Sequence, residues 1–204
     1  MTETKILEFF LQKYILLSMN TIHRCGWVNM KNPLYISYHD NEWGKPVYDD
    51  QALFELICLE GAQAGLSWET ILNRREAYRE MFWNFDIDQI LAFTEEELLE
   101  RMPHFNVIKN KLKVTGVRKN ALAYNKIVAE HGSFARYIWS FVDGQTITNN
   151  WVTFRECPPY TDISERMRKS LKSYGFTFVG PTICYAFMQA AGLVNDHEIL
   201  CSCR

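Results

Sequence analysis

The chain has little charge of either sign to spare. Its 22 lysines and arginines nearly balance 24 aspartates and glutamates, for a formal net charge of -2 over 204 residues. A polyanion partner is therefore not announced globally, and any basic face has to be local. Long apolar runs are missing too. The best candidate, "KILEFFLQKYILLSM" at residues 5–19, is broken by Lys5, Glu8, Gln12 and Lys13, which makes it a poor membrane span and a better amphipathic helix. No cleavable signal peptide is recognisable. Internal repeats and low-complexity tracts are absent. Strand-like alternation is confined to "GFTFV" at residues 175–179, too short to build a sheet. An all-α chain is the expectation. Acidic residues are absent from residues 101–129, where Arg101, Lys109, Lys111, Lys113, Arg118, Lys119 and Lys126 are all basic.

Six cysteines are present, which arithmetic would allow as three disulfides. Cys58 and Cys184, however, lie inside apolar runs, where a thiol behaves as a small buried hydrophobe, so free cysteines are expected. Helix signals fill most of the rest. Asp49 or Asp50 caps a helix whose apolar positions are Leu53, Phe54, Leu56, Ile57 and Leu59, running up to glycines at 61 and 65 where something must approach closely. Thr94 and Glu97 form a capping box for a short helix ended by Pro103. A long helix is expected from about Thr115 to His131, closed by Gly132. "SFARYIWSFV" reads as another helix, Ser164 as the cap of the next, and Pro181 as the first turn of a buried one. The segment "DGQTITNNWVTFRECPPYTDI" between helices reads as a long loop, a place for ligand contact.

Three constellations carry chemistry. His197 and Cys201 are four apart, on one face of a helical turn, and Cys25 and His39 bracket an irregular stretch near the other end. Two cysteines and two histidines would complete a closed, structural zinc site, although the spacing matches no compact zinc finger. Cys203 falls off that face. Glu60, in an otherwise apolar helix, either faces outward or is kept inside for a reason. Tyr35, Tyr38, Trp43 and Trp68 lie near it in sequence; such rings can sandwich a flat, electron-poor ligand that a carboxylate recognises, or simply pack in a core. Finally, "HFNVIKNKLKVTGVRKNA" joins a tight turn to a basic helix start. Asn106 tolerates a left-handed backbone, and the turn's amides with Lys109, Lys111 and Lys113 could seat phosphates or form a solvated face. The densest stretch, "YHDNEWGKP" at residues 38–46, reads by itself as an irregular surface turn, since Asp40, Asn41, Gly44 and Pro46 are turn formers.

"RCGWV", "PLYISYHDNEWGKP", "LFELICLEGAQAGLSWETIL", "VIKNKLKV" and "FVGPTICYAFMQAAGLVNDH" resemble, in this order, the bacterial 3-methyladenine DNA glycosylase I family. The resemblance runs from about residue 23 to the C-terminus. It implies a two-lobed helix-hairpin-helix fold, one domain over 23–204 with the hairpin near 103–119, and DNA crossing the cleft. Residues 1–22 are left as an N-terminal extension with no counterpart, and Met19 as a possible alternative start. By the resemblance, Cys25, His39, His197 and Cys201 hold one structural zinc ion that joins the terminal segments, and residues 38–46 form a metal-pinned loop walling a base pocket. Glu60 is the base-recognising and catalytic carboxylate, Trp68, Tyr38 and Trp43 its aromatic neighbours, with Tyr35 nearby. Asn106, Lys109, Lys111 and Lys113 face the DNA backbone; the family usually has glycine where Asn106 stands. The implied activity is hydrolytic excision of a flipped 3-methyladenine from alkylated double-stranded DNA, without strand cleavage, by a cytoplasmic, nucleoid-associated monomer with no membrane partner. A zinc-stabilised DNA-binding module without catalysis could dispense with Glu60 and Trp68, and a purine sensor would not need the hairpin.

Overall fold

Asn32 starts the first helix by accepting hydrogen bonds from the amides of Leu34 and Tyr35, with Pro33 at the first helical position where its missing N–H is no loss. This helix, α1 (Pro33–Asn41), carries Tyr38 and His39 inward. The structure, a computed structural model, describes residues 22–204; the amphipathic helix expected within residues 5–19 lies outside them. The expectation of an irregular turn over residues 38–46 is thus corrected. Its first four residues are the end of α1, and only the part from Glu42 onward is irregular. The turn formers Asp40 and Asn41 are overridden because Asn32 and Pro33 nucleate a helix about two turns upstream.

The centre of the molecule is α2 (Asp50–Gln63), capped by Asp49, with every residue from Leu53 to Ala62 buried. A helix enclosed on all sides has no solvent face, so a carboxylate within it is inside by construction. Gly61 makes this enclosure possible: a Cβ there would lie 3.0 Å from Cβ of Phe178. Against α2 pack α3 (Trp68–Leu72) and, through ion pairs of Arg75 and Arg79 with Glu55, α4 (Arg75–Met81), while α5 (Ile87–Ala92) and α6 (Glu95–Arg101) pack on the long helix that follows. The capping box of Thr94 and Glu97 is formed as expected. After a 3-10 turn at Met102–His104 comes α7 (Lys111–His131). It begins four residues earlier than expected because Asn110 caps it, accepting from the amide of Lys113, and it ends at left-handed Gly132.

The remaining elements are α8 (Phe134–Trp139), β1 (Ile147–Thr148), α9 (Asp162–Tyr174), α10 (Pro181–Ala190) and β2 (Val194–Asn195). Thr161, not Ser164, caps α9; Ser164 is the returning half of that capping box. "GFTFV" is not a strand, since Phe178 turns left-handed with φ 55° to press on Gly61. The strands described are β1 and β2, a two-residue parallel pair with Ile147 opposite Val194. The fold is mostly helical. No disulfide links the six cysteines, and no helix among the described residues is long and apolar enough to cross a membrane. The core is aromatic, with Phe54, Phe82, Phe85, Phe134 and Phe187 fully buried.

Candidate active site and metal cluster

Cys25, His39, His197 and Cys201 come together from opposite ends of the chain. All four are buried, and their ligand atoms lie within 4.8 Å of one another. Each imidazole is fixed through Nδ1: that of His39 by Asp40 Oδ1 at 2.8 Å, that of His197 by Asn195 Oδ1 at 2.8 Å. Both Nε2 atoms are thereby left for the cluster, and that of His197 is buried without a hydrogen-bond partner. Two soft sulfurs and two oriented imidazoles, one with its Nε2 otherwise orphaned, fit the donor set of a tetrahedral metal site. Burial, and then the neighbouring His39, pull His197 down to about 4 and keep it in the neutral form a ligand needs. Arg24 grips Asp40 through two nitrogens, at 2.8 and 2.6 Å, and holds that carboxyl well below the usual range. Cys203 stays outside the four but touches Asp40 Oδ1 at 3.6 Å. Gly44, left-handed at φ 75°, lets the chain cross the cluster, since a Cβ there would lie 2.7 Å from Cε1 of His197.

The imidazoles continue into an aromatic wall. Trp43 meets the His197 ring at 4.7 Å and the Trp27 ring at 4.9 Å, and Trp27 in turn meets Tyr35 at 5.2 Å. Tyr38 packs on Trp68 at 5.3 Å. These five rings line a cavity of about 490 Å3 together with Glu60 and Gln63, a volume suited to one small flat ligand. All the expected pocket residues, Tyr35, Tyr38, Trp43, Glu60 and Trp68, are thus brought together.

Glu60 is 3% exposed, and burial pushes its carboxyl up to about 8. Gln63, one turn later, is its neighbour. With the amide oriented to satisfy both ends, it donates to Glu60 Oε2 at 2.9 Å and accepts from the Trp68 amide at 3.3 Å. Burial also raises the Tyr35 hydroxyl to about 12 and Tyr38 well above its ordinary value, so both phenols stay protonated donors.

Sequence reasoning missed part of the lining. Trp27 was passed over although it stands two residues after Cys25, and Gln63 although it lies one helical turn from Glu60. Further lining comes from within residues 154–159 and, on α10 and beyond it, from Thr182, Tyr185, Ala186, Gln189 and Asp196. The proline pair falls in the loop expected to make ligand contacts. Asp196 is held by five side-chain donors; burial alone would push it up, but its hydrogen bonds outweigh that and keep it below the usual carboxylate range.

The segment expected to form the hairpin is partly different from expectation. It lies between α6 and α7, where Asn106 and Lys111 are exposed, but Asn106 does not adopt the left-handed backbone. The connection over residues 102–110 is long enough to reverse direction without it, and the Lys109 ammonium closes it by donating to the carbonyls of Met102 and Phe105. Lys113 reaches back to the carbonyls of Ala62 and Ala64, at 2.9 and 2.7 Å. Of the three lysines, Lys111 has no side-chain partner among the described residues.

The methyladenine glycosylase family model matches residues 27–204. DNA-3-methyladenine glycosylase 1 of Escherichia coli (strain K12) is 47% identical over 182 residues, covering 89% of this chain and 97% of that protein. A crystal structure of 3-methyladenine DNA glycosylase I superposes with a TM-score of 0.85 at 48% identity, over 89% of this chain and 100% of the other. The Staphylococcus aureus enzyme, in a structure described as the basis of 3-methyladenine recognition, superposes at 0.82 with 36% identity, over 85% and 93%. Fold and cavity together define a DNA glycosylase, an enzyme that separates a base from its sugar. More narrowly, the chain belongs to the methyladenine glycosylase family, the DNA-3-methyladenine glycosylase I enzymes.

Proposed function

We propose that the cavity receives a 3-methyladenine nucleotide flipped out of alkylated duplex DNA, and that the enzyme hydrolyses its N-glycosidic bond without cutting the strand. The carrying observation is Glu60, a carboxylate with no solvent face, in a cavity of rings. Methylation at N3 makes adenine cationic within DNA. Stacking between electron-rich rings and a buried carboxylate favour that cation over ordinary adenine. Glu60 is the residue we assign to recognition and to stabilising the reacting base, with Trp68, Tyr38, Trp43 and Tyr35 as the stacking surfaces.

The positive charge already weakens the glycosidic bond. As it breaks, its electron pair goes to the base, which departs as neutral 3-methyladenine. Water adds its oxygen to C1′ of the sugar and releases a proton. Protein acid is hardly needed, and the work of the site is selection and positioning. Among the described residues no lysine lines the cavity, which supports hydrolysis over a Schiff-base route with strand cleavage.

The donor set of Cys25, His39, His197 and Cys201 fits zinc, and a closed site of four protein ligands supplies structure, not chemistry. Residues 23–204 are read as one two-lobed helix-hairpin-helix domain working as a monomer in the cytoplasm, associated with the nucleoid through DNA; residues 1–22 are an extension of unassigned role. The segment carrying Asn106, Lys109, Lys111 and Lys113 is assigned to the DNA backbone: Lys111, without a side-chain partner among the described residues, meets phosphate beside the segment's backbone amides, while Lys109 and Lys113 shape and anchor it through their carbonyl contacts. The test is chromatography of bases released from methylated duplex DNA. Free 3-methyladenine with little 7-methylguanine and intact strands is expected; no release of 3-methyladenine would overturn the reading.

A further inference from the structure

Asp196 is 2% exposed and lines the cavity, yet none of the chemistry above uses it. Five donors converge on its carboxylate. Asn149 Nδ2 and Trp151 Nε1 reach Oδ1 at 2.7 and 2.8 Å. Tyr185 OH, Gln189 Nε2 and Cys157 Sγ reach Oδ2 at 2.7, 2.7 and 3.2 Å. The donors belong to two separate parts of the chain. Tyr185 and Gln189 are one turn apart on α10; Asn149, Trp151 and Cys157 belong to the irregular stretch between β1 and α9.

That stretch has little regular structure of its own beyond a 3-10 turn at Phe154–Glu156. Its position comes from the segment that follows β2. Besides Asp196, Glu198 Oε1 accepts the amide of Phe154 at 2.9 Å, and the Ile199 amide donates to the Trp151 carbonyl at 2.9 Å. The stretch so held delivers Phe154, Arg155, Cys157, Pro158 and Pro159 to the cavity lining. A buried carboxylate serving donors from both parts is a junction, because Asn149 and Trp151 on one side and Tyr185 on the other have their side-chain N–H and O–H groups donated to it alone.

We propose that Asp196 is a positioning residue for base binding: it fixes residues 149–159 to α10 as a second wall of the cavity. This rests on the reading that the cavity holds the methylated base. Asp196 touches the wall, not the reaction, so its loss acts on ground-state and transition-state binding alike and appears in KM with little change in kcat.

The experiment compares wild type, Asp196→Asn and Trp151→Phe. Trp151 does not line the cavity, so any effect of losing its indole N–H on base affinity passes through Asp196. Binding of free 3-methyladenine, kcat and KM on methylated DNA, metal content and amide exchange over residues 149–159 are measured. Asp196→Asn should weaken base binding about 10-fold or more and Trp151→Phe about 3-fold, with faster exchange in 149–159, kcat within about 3-fold and metal content kept. Wild-type affinity in the variants, even with lowered stability, overturns the proposal. If Asp196→Asn does not fold, unchanged affinity in Trp151→Phe overturns it alone. A wild type that binds no 3-methyladenine overturns the reading of the cavity itself, a distinct result seen before any variant is compared.

Discussion

Lys113, in the first turn of α7, donates to the carbonyls of Ala62 and Ala64 at the end of α2, the helix that carries Glu60. The start of α7 and the helix that carries the carboxylate are therefore mechanically joined. A cation at a helix C-terminus satisfies carbonyls left over by the helix and complements its dipole. Burial lowers the Lys113 ammonium from its ordinary value, in keeping with a side chain turned inward.

The two lysines on either side of Leu112 should then behave differently. Lys111→Ala should weaken binding to every duplex alike and flatten the salt dependence of affinity by about one unit of slope, with the melting temperature unchanged. Lys113→Met keeps the stem but removes the donors, so it should lower stability by about 1–3 kcal/mol. Titrations at several salt concentrations and thermal melts separate the two; equal effects on slope from both would place Lys113 at the DNA instead.

Helix α2 was legible because its cap, its apolar period and its close-packed glycine all agree. Helix α1 was not. Its signal lies in Asn32 and Pro33, whereas the eye falls on Asp40, Asn41 and Gly44 downstream, and its inward face is only Tyr38 and His39. The carboxylate, the four rings and the Cys/His set were visible as candidates, but spacing alone left Glu60 outward or inward and the rings as pocket or core; the resemblance of their motifs to the family singled them out. Asp196 was not a candidate, since its donors lie up to 47 positions away and an aspartate between an asparagine and a histidine reads as a turn.

The Cys/His cluster ties segments separated by most of the chain, so removing a ligand should act on stability before chemistry. Cys25→Ser should abolish about one bound zinc per chain, by metal analysis, and lower the melting temperature markedly; Cys203→Ser should retain the metal. Chelation should reproduce the first result in wild type. Zinc missing from wild type, or lost with Cys203 instead of Cys25, would break the assignment.

Glu60 makes the sharpest demand on pH. Buried to 3% exposure and raised to about 8 from an ordinary 4.5, it holds a proton in the folded state across a window where the unfolded chain has released it. Folded stability of wild type should accordingly fall as pH rises from about 4.5 to 8, the folded state binding the extra proton. Recognition of a cation runs the other way, because only the ionised carboxylate attracts it. On methylated DNA, kcat/KM should climb up to about 10-fold per pH unit below 8 and level off above it. Glu60→Gln keeps the shape and has no such titration. Its excision should be about 10- to 100-fold slower at pH 8, the worth of one charge-assisted hydrogen bond, with a flat profile, intact metal content and a melting temperature less sensitive to pH. Released 3-methyladenine measured across this range decides the point. A Glu60→Gln enzyme as fast as wild type, or one with the same pH slope, would remove the carboxylate from recognition and leave the rings alone to select the base.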